Sequence, residues 1–191
     1  MSKKAEGKTV AILATDGFEQ VELTSPKEAL ENAGATTKIV SINAGTIQGH
    51  NHRDHGDDFK VDLTLDNANP EDFDAILIPG GLFNPDALRT NDKAKEFATA
   101  FFEQKKPVFA ICHGPQVLIS ANLVNGRKLT GYSAIQQDLK NAGGIVSDES
   151  VVVDKGLVTS RNPDDLDDFN AKIVEELCEG KHDGQRKSVA A

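Results

Sequence analysis

The stretch Val108-Phe109-Ala110-Ile111-Cys112-His113-Gly114-Pro115 decides how this chain folds. Four apolar residues in a row, without polar alternation, describe a strand buried on both faces, as in a parallel sheet covered by helices. The run ends in a cysteine with a small residue, Ala110, two positions before it and a glycine, Gly114, two positions after it. That spacing is a nucleophile elbow, a strand-to-helix turn too tight for side chains at the flanking positions. The elbow strains the backbone and lifts Cys112 above the edge of the sheet. The helix that follows, carrying Val117, Leu118 and Ala121, adds positive potential at the sulfur, which lowers a thiol pKa.

Outward from the elbow, short β-rich runs alternate with longer amphipathic ones, the pattern of an α/β domain with a mainly parallel sheet and helices on both faces. Thr9–Ala14 and Ala75–Ile78 read as buried strands, and Thr36–Asn43 as another. Helices are expected from about Glu19 to Asn32 and from about Asp92 to Gln104. The second of these places Ala94, Phe97, Ala98, Phe101 and Phe102 on one face. Gly45 to Asp58 reads as a polar loop, and Phe59–Leu63 as a half-solvated edge strand. Ser133 is a candidate N-cap for a short helix ending near Gly143. Val151–Val153 and Leu157–Thr159 flank a hairpin turn at Asp154-Lys155-Gly156. Asn162-Pro163 opens a last helix running to about Cys178. One domain over 9–180 is expected, between a flexible N-terminus (1–8) and a flexible tail (181–191).

Composition narrows the function. The 191 residues carry a formal net charge of -9, which argues against specific nucleic-acid binding or an anionic membrane as partner. No apolar run approaches the ~18 residues needed to span a bilayer. The N-terminus, Met1-Ser2-Lys3-Lys4-Ala5-Glu6-Gly7, has no apolar signal core, so a cytoplasmic protein is expected. Only Cys112 and Cys178 are present, too few for a disulfide framework and in keeping with a reducing compartment.

Several residues gather at the carboxyl edge of such a sheet, where sites of doubly wound folds collect. Pro79-Gly80-Gly81 follows a strand expected beside that of Cys112, so the N–H groups of Gly81 and His113 could form an oxyanion hole. Glu19, one turn beyond the first strand, can lean over the same edge. A carboxylate beside a thiolate repels it, so one of the two must hold a proton. The expectation is a protonated Glu19 hydrogen-bonded to Cys112. His113 adjoins the nucleophile in sequence, but neighbouring side chains diverge in regular structure, and the two could meet only across the strained turn. His50, His52 and His55 cluster near Asp54, Asp57 and Asp58, yet no spacing fixes a coordination geometry, and no metal or other cofactor is expected. Cys178 reads as structural or incidental, and Tyr132 as a candidate for the pocket wall.

The run Ala110-Ile111-Cys112-His113-Gly114-Pro115-Gln116, with Asp74-Ala75-Ile76-Leu77-Ile78-Pro79-Gly80-Gly81 before it, closely resembles the PfpI-like intracellular protease and general stress protein family. The likeness extends from Thr9 to about Glu179 and includes Phe18–Leu23, Gly126-Arg127-Lys128 and Val158–Arg161. It implies a flavodoxin-like three-layer sandwich, shared with class I glutamine amidotransferases. It also implies that Cys112 is the nucleophile, His113 the histidine beside it and Glu19 the acid on the thiol. In some members an acidic residue after the Gly-Gly turn reaches the histidine of a neighbouring subunit. Asp86 is the nearest match here, one residue further along, and such a contact would imply a homodimer or hexamer.

Family members include cysteine peptidases, cofactor-free glyoxalases and deglycases, several linked to oxidative stress. The leading expectation is an enzyme acting on reactive carbonyls or glycated amino acids and proteins through the Cys112 thiolate. The alternatives are peptide hydrolysis, which needs a histidine oriented by a third group, and a redox-sensing or protective role for an oxidisable thiol.

Overall fold

The apolar runs become strands and helices in the computed structural model, which describes residues 4–185. In chain order the elements are β1 (Thr9–Leu13), β2 (Phe18–Glu19), α1 (Gln20–Asn32), β3 (Thr36–Ser41), β4 (Thr46–Asn51), β5 (Asp54–Lys60), β6 (Leu63–Thr64) and β7 (Ala75–Ile78). They continue with α2 (Phe83–Thr90), α3 (Asp92–Glu103), β8 (Val108–Ile111), α4 (Pro115–Ser120), β9 (Lys128–Leu129) and α5 (Gln136–Asn141). The last are β10 (Ile145–Val146), β11 (Val151–Asp154), β12 (Leu157–Ser160) and α6 (Leu166–Glu179).

Seven strands form the main sheet in the order β11-β12-β8-β7-β1-β3-β6. Every neighbouring pair is parallel except β11 with β12, the expected hairpin. Side chains alternate between the faces of a strand, and the two cores follow that alternation. Val10, Ile12, Ala75, Leu77, Phe109 and Ile111 pack with Leu23 and Leu30 of α1 and Phe169, Ile173 and Leu177 of α6. Ala11, Leu13, Ile76, Ile78, Val108 and Ala110 face the other way, onto the phenylalanines of α3 and Val117 and Leu118 of α4. Each fully buried phenylalanine contributes roughly 1.5–3 kcal/mol. The result is the flavodoxin-like three-layer sandwich expected from the sequence. Among the described residues no helix is long and apolar enough to cross a membrane.

Four local expectations change. Residues 45–58 are not an irregular loop but the antiparallel β4–β5 hairpin, and the half-solvated edge strand expected over Phe59–Leu63 divides between the end of β5 and β6. The hairpin's His- and Asp-rich strands have little β-propensity of their own. Tertiary contacts hold it: Gln20 donates from Nε2 to Asp57 at 2.8 Å and accepts from the Asp57 N–H at 2.7 Å, while Phe18 meets Phe59 edge-on. Residues 83–90, left unassigned by the sequence, form α2. Ser133 does not cap: the short helical turn at 133–135 starts after Tyr132 without a side-chain bond, whereas Asn91 and Asn162 cap as side-chain acceptors. Both ends of the described chain are docked rather than loose. Ala5 is buried and bonds to the Ala33 carbonyl. Beyond Gly180, Gln185 is buried and accepts from Arg127 at 2.7 Å. The expected flexible segments otherwise fall at 1–3 and 186–191, outside the described residues.

Candidate active site

Strand β8 delivers Cys112 into the elbow with φ of 60°, a left-handed conformation that side chains other than glycine's adopt rarely. Gly114 allows the turn, because a Cβ there would lie 2.5 Å from the Ile78 carbonyl oxygen. Gly80, at the end of the adjacent β7, brings its backbone just as close: a Cβ would sit 2.6 Å from the Cβ of Cys112. The N–H groups of Gly81 and His113 lie close enough to the sulfur to favour its thiolate. The two donors expected to form an oxyanion hole therefore face the sulfur itself in the resting protein.

The strained turn also joins two side chains that regular backbone would separate. Cys112 Sγ lies 3.2 Å from His113 Nδ1. The His113 ring is nearly buried and stacks on Tyr132 with centroids 4.7 Å apart, and burial lowers its pKa. The Tyr132 N–H bonds to the Cys112 carbonyl at 2.9 Å, fixing the stack to the elbow.

The acid at the sulfur is Glu22, not Glu19. Glu19 precedes α1, and both of its carboxylate oxygens accept from the His52 N–H in the hairpin turn, at 3.3 and 3.1 Å. One helical turn later Glu22 points inward, fully buried, and accepts from the Gly80 N–H at 2.9 Å. Burial pushes its carboxyl up to about 8, against the contrary pull of its hydrogen bonds from Cys112 and Gly80. Its other oxygen, Oε1, is buried without a hydrogen-bond partner. Ionised, it would be an unpaired buried charge, so its surroundings favour the neutral acid.

The sulfur's environment also differs from the expectation of a thiol lowered by a helix end. Burial pushes the Cys112 thiol up, ionised Glu22 pushes it further, and the Gly81 and His113 N–H groups pull against both. The helix after the elbow is only six residues long. The stronger device is the Glu22 proton, which removes the charge opposing a thiolate. Burial raises both groups, so at neutral pH Glu22 keeps its proton and the resting sulfur stays a thiol.

Cys112 lines a cavity of about 630 Å³ together with Glu22, Gly81, His113 and Tyr132. Leu82 and Phe83 from the start of α2 and His50, His52 and Arg53 from the hairpin complete much of the wall. That volume lies within the range of about 300–1,000 Å³ common for small-molecule sites. The histidines clustered in sequence are spread along the hairpin: the His50 ring packs edge-on against His55 and Phe83, and His52 occupies the turn. Asp86 lies exposed in the first turn of α2, outside the cavity lining, and Cys178 is exposed on α6.

Glu22 carried a signal in the sequence. Glu22, Pro26 and Leu30 recur at i, i+4 and i+8, so a carboxyl shares the buried stripe of α1 with a proline and a leucine. Acidic residues are almost never buried without a task or a partner.

A strained cysteine elbow at the carboxyl edge of a flavodoxin-like sheet, with a buried acid against the sulfur, defines a class of α/β proteins built around one thiol. Within that class the chain belongs to the DJ-1/PfpI family, whose model matches residues 8–176. It is 51% identical over 175 residues to the Bacillus subtilis (strain 168) protein named "Putative cysteine protease YraA", covering 91% of this chain and 98% of that one. A two-domain protein from Anabaena variabilis with DJ-1/ThiJ/PfpI-like and ferritin-like domains superposes with a TM-score of 0.84 at 38% identity. The match spans 89% of this chain and 48% of that protein. Drosophila melanogaster DJ-1beta matches with a TM-score of 0.82 at 27% identity, over 90% of each chain.

Proposed function

We propose that this protein is a cofactor-independent cysteine enzyme that converts small reactive carbonyls, with early glycation adducts as related substrates. The observation that carries the reading is the pair of proton carriers on one sulfur: His113 Nδ1 at 3.2 Å and the buried Glu22 carboxyl. In this reading the Cys112 sulfur adds to the aldehyde carbon of methylglyoxal; its thiol proton passes to Glu22 as Glu22 gives its own to the former carbonyl oxygen, giving a hemithioacetal. His113 removes the proton from that carbon and returns it to the neighbouring one while the hydroxyl proton passes to the neighbouring oxygen, leaving a thioester. Water then attacks the thioester carbonyl, lactate leaves and Cys112 regains its proton. The net reaction is methylglyoxal plus water to lactate and a proton, with no electron acceptor required. Deglycation follows the same attack at an adduct carbon, with the amine as leaving group.

A peptide substrate is the second reading, favoured by the name of the Bacillus subtilis relative. Papain-type hydrolysis relies on a polar group that orients the histidine. Here Tyr132 stacks on His113, and Asp86 enters this reading only through a second copy of the chain. Side-by-side kinetics on methylglyoxal, a glycated amino acid and a fluorogenic peptide decide between the two, with Cys112→Ser as control. Cys112-dependent consumption of methylglyoxal is the expected result. Turnover of peptide alone would replace the first reading with the second, and no Cys112-dependent turnover of any of them would sink both.

A further inference from the structure

On the opposite side of the molecule from the chemistry just described, the end of α6 carries a second group of ionisable side chains. Glu176 and Glu179, three residues apart, share one face of the helix. Gly180 ends the helix and the chain doubles back, so that His182 returns to the same place. One donor atom from each of Glu176, Glu179 and His182 lies within 4.8 Å of the others. Glu176 is 6% exposed, and Glu179 faces solvent.

Two buried atoms here form an ion pair that lacks the geometry of a hydrogen bond. His182 Nε2 stands 3.0 Å from Glu176 Oε2, but both atoms are buried and neither makes a hydrogen bond. The ring nitrogen is therefore not aimed along the line to the oxygen. Two ligands of one metal ion stand in this relation, since bonds of about 2.0–2.2 Å to a tetrahedral zinc set donor atoms a little over 3 Å apart while both point to a third position.

The histidine is also held in place. Its backbone N–H bonds to the Lys105 carbonyl at 2.9 Å, and its ring lies over Gly156, where a Cβ would come within 2.8 Å of it. The carboxyl end of α6 also favours a cation.

We propose that Glu176, Glu179 and His182 form a binding site for a divalent transition cation of the zinc type, one that clips residues 181–185 onto α6. One imidazole with two carboxylates suits such an ion better than calcium or magnesium, which take oxygen ligands. The test is thermal unfolding and calorimetric titration of the full chain, stripped with chelator and then given zinc chloride or magnesium chloride. Zinc at about a hundred times its Kd should raise Tm by about 5 °C or more, and magnesium should not. Cobalt(II) should give the absorption bands of a four-coordinate ion. His182→Ala and the exposed Glu179→Gln, which spares the fold, should each weaken zinc binding about tenfold or more. Binding should persist when Cys112 and Cys178 are both replaced by serine. Zinc binding unchanged in His182→Ala, lost on removal of the cysteines, or absent from the stripped protein would overturn the site.

Discussion

Replacing Glu22 with glutamine tests the central electrostatic claim without changing the shape of the side chain. Burial raises this carboxyl from an ordinary 4.5 to about 8. A group whose folded pKa lies above its unfolded value stabilises the fold fully below the unfolded value, and that contribution is lost as pH rises through the folded one. The window for Glu22 therefore runs from about pH 4.5 to about 8. At about 1.36 kcal/mol for each pH unit in the window, the loss is about 3 kcal/mol by pH 7 and about 5 kcal/mol by pH 9. Because Glu22 is fully buried, solvent screens little of this.

Glutamine cannot ionise, so the Glu22→Gln variant lacks that slope. Urea unfolding of both proteins at pH 5, 6, 7, 8 and 9 gives the comparison. The variant should gain stability relative to the parent by about 3–5 kcal/mol across this range. It can start below the parent at pH 5, since the amide need not fit the sulfur as well. The sign of the trend carries the test. Parallel stability curves would mean that Glu22 is ionised in the folded protein at pH 7, and the neutral-acid argument would fail.

Other expectations separate the neighbouring groups. Glu19→Gln should leave the iodoacetamide reaction rate of Cys112 within about twofold, because its carboxylate contacts the His52 N–H and not the sulfur; a larger change would return Glu19 to the site. Gly80→Ala places a Cβ 2.6 Å from that of Cys112 and 2.4 Å from Glu22 Oε2, so turnover should fall about a hundredfold, and near-normal kinetics would refute the tight fit. Cys112→Gly should be about 1 kcal/mol more stable to urea than Cys112→Ala, since only glycine relieves the positive φ. Arg127→Ala leaves the half-buried Asp154, paired to Arg127 Nε at 2.8 Å, without its cation, and should cost about 1–3 kcal/mol in unfolding free energy.

The sheet was legible because its strands announce themselves in one dimension: Val108–Ile111 and Ala75–Ile78 are unbroken apolar runs closed by glycine-containing turns. The elbow was legible for the same reason, its constraint being a local one of spacing around Cys112. The β4–β5 hairpin was not, since its strands are polar and its pairing depends on Gln20 and Phe18, which lie some 30–40 residues earlier in the chain. Contacts of that kind leave no periodicity to read. Glu19 was a natural choice because it lies nearer the end of β1, but distance along the chain does not say which way a side chain turns. The helical phase of α1 does, and it sends position 22 to the core with Pro26 and Leu30.

The hairpin and the helix together explain why one carboxyl, and not two, faces the sulfur. The His52 N–H in the hairpin turn draws Glu19 aside, while the buried stripe of α1 drives Glu22 in. Two carboxyls at the thiol would compete for one proton and leave a charge opposing sulfur ionisation. Held at the rim, Glu19 still acts on its neighbour: its negative charge adds to the rise in the Glu22 pKa, though less than burial does. The outer acid thus adds a little to the inner one's hold on its proton, and a neutral Glu22 removes one of the charges that oppose ionisation of the sulfur. Acid–base chemistry at Cys112 then needs no metal in this reading, because the proton it moves is already stored in the wall of the cavity.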